Sequence, residues 1–161
     1  MNFIELVHQI EERYRSSNKR MGKIFERVAA YYLRDVLNFE EVCFVDHLDD
    51  SPVKGVDLLA YSIEDDLSGR RHAQWYSIQV SEHLESEEEL SSKTLEGFVQ
   101  KTTDMDIPGM KMMLILFYCP LSDEEWDYVE DNEIELVTEE DISQLPIDWT
   151  NCWKSIKKYF G

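Results

Sequence analysis

Three polar side chains stand on elements that otherwise look buried, and they are the first candidates for chemistry. Asp57 lies in the run Val56-Asp57-Leu58-Leu59, where an ionised carboxylate is unfavourable unless it is exposed, paired or part of a site. We expect a functional site there, and an ion pair with Arg27 is the structural alternative. Gln79 in a later strand and Glu26 in a helix are the other candidates. The alternative for Gln79 is an ordinary half-exposed strand residue, and the alternative for Glu26 is an ordinary residue on a helix surface.

Histidine, cysteine and serine, which often carry catalysis, form no recognisable catalytic or metal-binding motif in this sequence. The four histidines lack the spacing of metal ligands, and the three cysteines are far apart and form no CxxC pair. An odd number of distant cysteines argues against a disulfide framework and favours a reducing cytoplasm. No Ser-His-Asp or Cys-His combination and no glycine-rich phosphate loop stands out. We therefore predict a cytoplasmic protein without a zinc ribbon or a nucleophilic triad.

The candidate residues fall on a succession of predicted helices and strands. Helical periodicity predicts an N-terminal helix and further helices at about 21–37, 85–101, from Ser122, from Thr138 and at 148–160. Short β-branched and aromatic runs predict strands at 41–46, 55–61, 72–80, 112–118 and 134–137, with a loop at 47–54. The second and third strands look like an antiparallel hairpin with a long connection. The order predicts an α/β fold, a mixed sheet of about five strands flanked by helices, whose last strands are joined by helical crossovers.

The chain length predicts one domain spanning residues 1–161. Its 43% hydrophobic residues suffice for a core. We divide the domain into N-terminal helices at 1–37, an α/β core at 38–138 and a C-terminal helical segment at 139–161. No apolar run reaches the roughly 18 residues that a membrane span needs. We expect no membrane association; the oligomeric state stays open, with a dimer as one option.

The charge is strongly acidic and unevenly distributed. The chain has 34 Asp and Glu against 16 Lys and Arg, a formal net charge of −18. Residues 122–141 carry eleven acids and no Lys or Arg. A DNA-binding protein gains most of its affinity from basic side chains at phosphates, and this chain offers them mainly in its N-terminal helices. These bases are Arg13, Arg15, Lys19, Arg20, Lys23, Arg27 and Arg34. Solubility alone is the alternative explanation of the acidity.

Three short motifs occur in order on these elements. They are the helix segment 22–27 (GKIFER), the strand segment 55–60 (GVDLLA) and the strand segment 75–81 (WYSIQVS). They resemble the Gly-x-x-Phe-Glu, Gly-x-Asp-Leu-Val-Ala and Ala-Ile-Gln-Cys-Lys patterns of the PD-(D/E)xK, or restriction-endonuclease-like, nucleases. The resemblance covers about residues 1–118. It is greatest to Mrr-type domains and to the N-terminal nuclease domain of helicase-linked restriction enzymes.

The resemblance implies a metal-dependent phosphodiesterase site. In such a site Asp57 would be a carboxylate ligand of Mg²⁺ and Gln79 the polar ligand on the adjacent strand. Glu26 would be an auxiliary carboxylate. The metal would generate the attacking hydroxide and absorb charge at the phosphorus. The implied cofactor is therefore Mg²⁺ if the protein is active, and none otherwise.

One position departs from the family pattern. Where the family has its lysine, this sequence has Ser81, whose hydroxyl is uncharged and too short to replace an ammonium group. Lys93 or Lys101, on the following helix, could stand in as a migrated lysine. Without such a replacement the site keeps its acidic groups and lacks the cation that supports cleavage.

The sequence therefore predicts a catalytically degenerate restriction-endonuclease-like protein that acts as a binding, regulatory or inhibitory component in restriction or phage-conflict systems. Its acidic surface would engage a basic, DNA-binding protein partner or imitate a phosphate backbone. The predicted partner-binding residues are Asp123, Glu124, Glu125, Asp127, Glu130 and Asp131, together with residues 85–89. The alternatives are an active Mg²⁺-dependent DNA endonuclease with a migrated lysine, and an interaction domain unconnected with nucleic acid.

Overall fold

Helices cover both faces of a five-stranded sheet in a computed structural model that describes residues 1–16, 18–45, 55–84 and 90–161. The helices are α1 Phe3–Tyr14, α2 Asn18–Tyr31, α3 Ser92–Asp104, α4 Asp123–Asp131, α5 Glu139–Ser143 and α6 Thr150–Phe160. A π-helical turn, Tyr32–Val36, continues α2. The strands are β1 Glu41–Phe44, β2 Leu58–Asp65, β3 Arg71–Glu82, β4 Lys111–Phe117 and β5 Glu135–Thr138.

The sheet is mixed, with the strand order β1-β2-β3-β4-β5. β1 and β3 both pair with β2 in the antiparallel sense, whereas β4 pairs in parallel with β3 and with β5. The parallel pairs need crossover connections, and α3 and α4 lie in those connections. The predicted α/β fold, the β2–β3 hairpin and the helical crossovers are therefore confirmed. The connection within the hairpin is short, at 66–70, rather than long as predicted, because both strands extend further towards it.

Two apolar clusters hold the layers together. On one face, α1, α2 and α6 pack against alternate residues of β3 and β4, around large buried side chains such as Phe25, Phe117 and Trp149. On the other face, α3 and α4 cover Leu114 and Leu116 of β4. Because β4 is buried on both sides, its sequence is almost wholly apolar. Among the described residues, no helix is long and apolar enough to cross a membrane.

The bounds of β2 and α3 differ most from those predicted. β2 begins at Leu58 rather than at residue 55 and runs on to Asp65. α3 begins at Ser92 because Ser91 caps it, with the Ser91 Oγ accepting a hydrogen bond from the Thr94 N–H at 3.1 Å. The earlier part of that predicted helix, at 85–89, lies outside the described residues, as does the predicted loop at 47–54.

The helices predicted to begin at Ser122 and at Thr138 are confirmed, and each has a side-chain N-cap. The Ser122 Oγ accepts a hydrogen bond from the Glu125 N–H at 3.2 Å and begins α4. Thr138 caps α5 in a reciprocal capping box with Asp141. Both helices therefore begin with side chains that satisfy their first N–H groups and with acids that suit the helix dipole.

Candidate functional site

Asp57 is held against the middle of β3 by two hydrogen bonds. Its backbone N–H donates to the Ile78 carbonyl at 2.9 Å, and its Oδ2 accepts from the Val80 N–H at 2.7 Å. The carboxylate thus takes the place of a backbone acceptor just before β2 begins. This short, charge-assisted bond fixes the side chain beside the carboxyl-terminal half of β3.

The glycine two residues earlier makes this placement of Asp57 possible. Gly55 has φ +109°, and a Cβ built on it would lie 3.3 Å from the backbone carbonyl of Gly97 in α3. Only glycine combines that backbone conformation with so close an approach. The pair Gly55 and Gly97 therefore brings the segment that carries Asp57 directly under α3.

Gln79 lies next to Asp57 in this arrangement and is almost completely buried. Its Nε2 donates to the Val80 carbonyl at 3.3 Å and to the Ser81 Oγ at 3.5 Å. Its buried Oε1 has no hydrogen-bond partner, which is an unfavourable state for an amide oxygen. Asp57 and Gln79 together thus offer oxygen atoms of the kind that Mg²⁺ prefers, and they would fit an ion that keeps several waters.

Few groups that could bind a metal ion are described around Asp57 and Gln79. In the part of the chain that the structure describes, no three or more His, Cys, Asp and Glu side chains are grouped so that they could hold a metal ion. Ser81, half-buried beside Gln79, brings a hydroxyl where the family pattern has an ammonium. The polar side chains described at the site are therefore one carboxylate, one amide and one hydroxyl.

The two candidate replacement lysines are both exposed on α3. This helix faces β3 through Thr102, whose hydroxyl lies 2.6 Å from that of Ser77. Lys93 is nine residues, or about two and a half helical turns, before Thr102 and so projects from the opposite side of α3. Lys101 adjoins Thr102 and lies off the packed face. Lys93 is, however, one helical turn before Gly97, which meets Gly55, so the migrated lysine stays a prediction.

Glu26 and Arg27 lie on α2, on the other side of the sheet. α2 packs against the face that carries Ile78 and Val80, whereas Gln79 and Ser81 alternate with them and point towards α3. The Arg27 guanidinium lies 3.4 Å from the ring centroid of Tyr159 and 4.9 Å from that of Phe44. The alternative ion pair between Arg27 and Asp57 is therefore wrong, because Arg27 stacks on aromatic rings instead.

Several of the N-terminal bases are occupied within the fold. Arg13 donates to the Gly161 carbonyl and Arg34 to the Val42 carbonyl, both at 3.0 Å. With Arg27 stacked on aromatic rings, at least three of the seven bases have structural partners. This arrangement reduces the positive surface that the N-terminal helices can offer to phosphates.

The predicted partner-binding acids lie on α4, and one of them differs from the rest. Asp123, Glu124, Asp127, Glu130 and Asp131 are exposed, whereas Glu125 is only 6% exposed. A cavity of about 240 Å³ lies between α3 and α4, and Glu125 lines it. We call it the acidic cavity; its charged lining residues are Glu96, Glu124, Glu125, Asp127 and Asp131.

A Cys–His contact, which the sequence did not suggest, lies at the carboxyl ends of the parallel strands. The Cys119 Sγ is 3.3 Å from the His83 Nδ1. Burial, and next the neighbouring Glu139, raise the pKa of the Cys119 thiol to about 12, so it stays protonated and is a poor nucleophile. The parallel register that sets Glu82 beside Phe117 brings the two residues together, and only that register could have revealed the contact.

The mixed sheet, its flanking helices and the position of Asp57 beside β3 define a restriction-endonuclease-like fold. One solved structure with this fold is the MspJI restriction endonuclease in complex with a 27-mer oligonucleotide, with a TM-score of 0.55 and 10% sequence identity. The match covers 94% of this chain and 33% of that chain, so the chain spans about a third of its length. At this identity the likeness shows the fold alone. No protein-family model and no curated protein sequence matches the chain.

Proposed function

We propose that this protein is a restriction-endonuclease-like protein that has lost cleavage and acts by binding, as a regulatory or inhibitory component of a restriction or phage-conflict system. The observation that carries the proposal is Ser81. It stands beside Gln79 and near Asp57, where the family pattern has a lysine. Without an ammonium group, the developing negative charge of a phosphodiester transition state would lack its cationic partner.

The distribution of charge supports a basic protein as the partner. The formal net charge of −18 repels a phosphate backbone, while the acids of α4 are mostly exposed. An acidic surface of this kind attracts a DNA-binding protein electrostatically and competes with DNA for its basic face. The internal use of Arg13, Arg27 and Arg34 further lowers the affinity that we expect for DNA itself.

A specific observation favours the second candidate, an active Mg²⁺-dependent DNA endonuclease. The buried Oε1 of Gln79 has no partner, as expected for an oxygen that awaits a metal ion. Such an enzyme would need a cation from outside the pair of Asp57 and Gln79. Lys93, one helical turn before the Gly97 that meets Gly55, is one source, and a partner or a second subunit is another.

A cleavage assay separates the two candidates. Supercoiled plasmid and single-stranded DNA are incubated with Mg²⁺ or Mn²⁺ and with the wild-type protein, the Asp57→Asn variant or the Asp65→Asn variant. Asp57→Asn keeps an acceptor for the Val80 N–H, and Asp65 is an exposed control at the far end of β2. We expect no cutting by any of them. Cutting by the wild type that survives in Asp65→Asn and vanishes in Asp57→Asn would contradict the proposal.

A gain-of-function variant tests the assignment of the defect to one position. Ser81→Lys returns an ammonium group to the strand beside Gln79. If the missing cation is the main defect, this variant should nick supercoiled plasmid with Mg²⁺, and Asp57→Asn in the same background should abolish the nicking. Continued inactivity of Ser81→Lys would mean that Asp57 and Gln79 no longer hold a metal ion productively.

A further inference from the structure

A groove of about 650 Å³ lies at the carboxyl ends of β4 and β5, between α4 and α5. We call it the Trp126 groove. Its walls are mainly apolar and are formed by Leu116, Tyr118, Leu121, Trp126 and Leu136. Trp126 is 45% exposed, although an indole ring is usually buried over most of its surface. The groove therefore presents to solvent a large apolar side chain that the fold does not cover.

The floor of the Trp126 groove is held in place by bonds within the fold. Tyr118 follows β4 with φ +57°, and its N–H donates to the Glu139 Oε2 at 3.0 Å. This bond joins the turn after β4 to the start of α5, which Thr138 caps. The groove is thus formed before anything binds in it, so a guest need not order these segments.

The rim of the Trp126 groove is acidic. Glu139 and Glu140 line the groove, and no Lys or Arg is among its described lining residues. On α4, Asp123 and Glu130 are exposed about one helical turn before and after Trp126, on the same side of the helix. An apolar centre within a polar rim is the usual anatomy of a protein–protein interface. The charge that complements this rim is positive.

We infer that the Trp126 groove receives an apolar side chain that the protein partner carries between basic residues. Tryptophan is enriched among the residues that contribute most to binding when a partner covers them. The bases on either side of the inserted side chain meet the acids of the rim, which orient the partner and speed its association. An apolar segment without bases would leave these acids desolvated and unpaired. The inference rests on the proposed function and adds to it the position and the chemistry of the contact.

The test measures the binding of two labelled nonapeptides by fluorescence anisotropy at low and at moderate salt. Both peptides have three lysines at each end; one has Leu-Phe-Leu in the centre, and the other has Ser-Gly-Ser. The wild type should bind the Leu-Phe-Leu peptide at least about tenfold more tightly than the Ser-Gly-Ser peptide, because only the former has a side chain that fills the groove.

Two variants assign this difference in affinity to the groove. Trp126→Ala should remove most of the difference. Tyr159→Ala also removes an exposed aromatic ring, but Tyr159 lies on α6 and does not line the groove. This control should change the affinity for the Leu-Phe-Leu peptide by less than about twofold. Because Trp126 is partly exposed, its replacement should leave the fold intact, and circular dichroism checks this.

The possible results separate the failure of this inference from the failure of the proposed function. Equal binding of the two peptides by the wild type, or equal effects of the two variants, would overturn the groove inference and leave a general acidic surface as the binding element. No binding of either peptide at low salt would contradict the basic partner itself. Sedimentation velocity tests another occupant. A wild type that dimerises while Trp126→Ala stays monomeric would overturn the inference, because a second copy of the chain would then cover the groove.

Discussion

At the scale of single residues, two neighbours on α4 have environments that are the reverse of their usual preferences. Glu125 is 6% exposed, whereas Trp126 is 45% exposed. The cause is helical geometry, because residue 125 lies four positions before the buried Val129 and therefore on the same face of α4. The i, i+4 spacing of Glu125 and Val129 could have predicted that Glu125 is buried. The run of acids around it instead suggested that all these acids are exposed.

The burial of Glu125 in the first turn of α4 leads to a prediction about the stability of the protein. Glu125→Gln should lower the free energy of unfolding by about 1 kcal/mol, since it removes a partly buried acid that interacts favourably with the N-terminal end of the α4 dipole. Urea unfolding followed by circular dichroism measures the difference.

The matched variant for this measurement is Glu130→Gln, which should change the free energy of unfolding by less than about 0.5 kcal/mol. A stabilisation by Glu125→Gln would contradict this expectation and show that the cost of burying the charged carboxylate outweighs its interaction with the helix dipole.

At the scale of elements, the contact between the start of β2 and the middle of α3 positions the candidate site. Gly55 and Gly97 meet there, and the two residues after Gly55 lead to the carboxylate that bonds to the Val80 N–H. A Cβ at Gly55 would crowd the backbone of Gly97, whereas a Cβ at Gly97 would meet nothing within 4 Å, so the contact depends on Gly55. Any change at Gly55 should therefore disturb both stability and the position of Asp57.

We predict that Gly55→Ala destabilises the protein by about 2 kcal/mol through backbone strain together with the close contact to Gly97. Gly69→Ala is the matched control. Gly69 also has a positive φ, +81°, but a Cβ there would meet nothing within 4 Å. Thermal unfolding should show a smaller loss for Gly69→Ala, on the order of 1 kcal/mol. Equal losses would mean that the backbone conformation alone matters and that the contact with α3 is loose.

The elements themselves were largely predictable from the sequence, because each has a strong local determinant. The apolar run of β4 requires burial on both faces, and Ser122 offers a side-chain cap. The start of β2 was not predictable from the sequence. The run from Gly55 onwards resembles one continuous strand, and β2 begins only at Leu58 because Gly55 packs on Gly97. The Cys119–His83 contact was missed for a similar reason, since the register of β3 and β4 is a property of the whole sheet.

At the scale of the whole molecule, the two ends of the chain are joined. The Met1 carbonyl accepts a hydrogen bond from the Trp149 N–H at 2.9 Å, and Arg13 of α1 bonds to the Gly161 carbonyl. Asp148 adds a further link, because it accepts from the Thr150 hydroxyl at 2.6 Å and lies 3.3 Å from the Met1 ammonium group. The first and last helices therefore form one layer on the same face of the sheet.

Asp148 gives this link a pH dependence. Hydrogen bonds from Thr150, and then the Met1 ammonium group, lower the pKa of its carboxyl from 3.8 to about 2. A lowered pKa in the folded state contributes stability above the unfolded value and loses it as the pH falls towards 2. Asp148→Asn should therefore lower the Tm at neutral pH, and its difference from the wild type should shrink between about pH 4 and pH 2.

The control for this pH dependence is Asp65→Asn, at an exposed position at the end of β2. Its Tm should follow that of the wild type throughout the acid titration. A constant difference between Asp148→Asn and the wild type down to pH 2 would show that the hydrogen bonds of Asp148 do not depend on its charge. Because Asp148 is exposed, added salt should reduce the effect.

The hydroxyl pair of Ser77 and Thr102 has a mechanical consequence for the acidic cavity. With Gly97 packed on Gly55, it attaches α3 to both β2 and β3 at two separate points along its length. Sliding or rotating this helix would break both attachments together, so α3 is the stiff wall. One wall of the cavity can therefore move only together with the sheet.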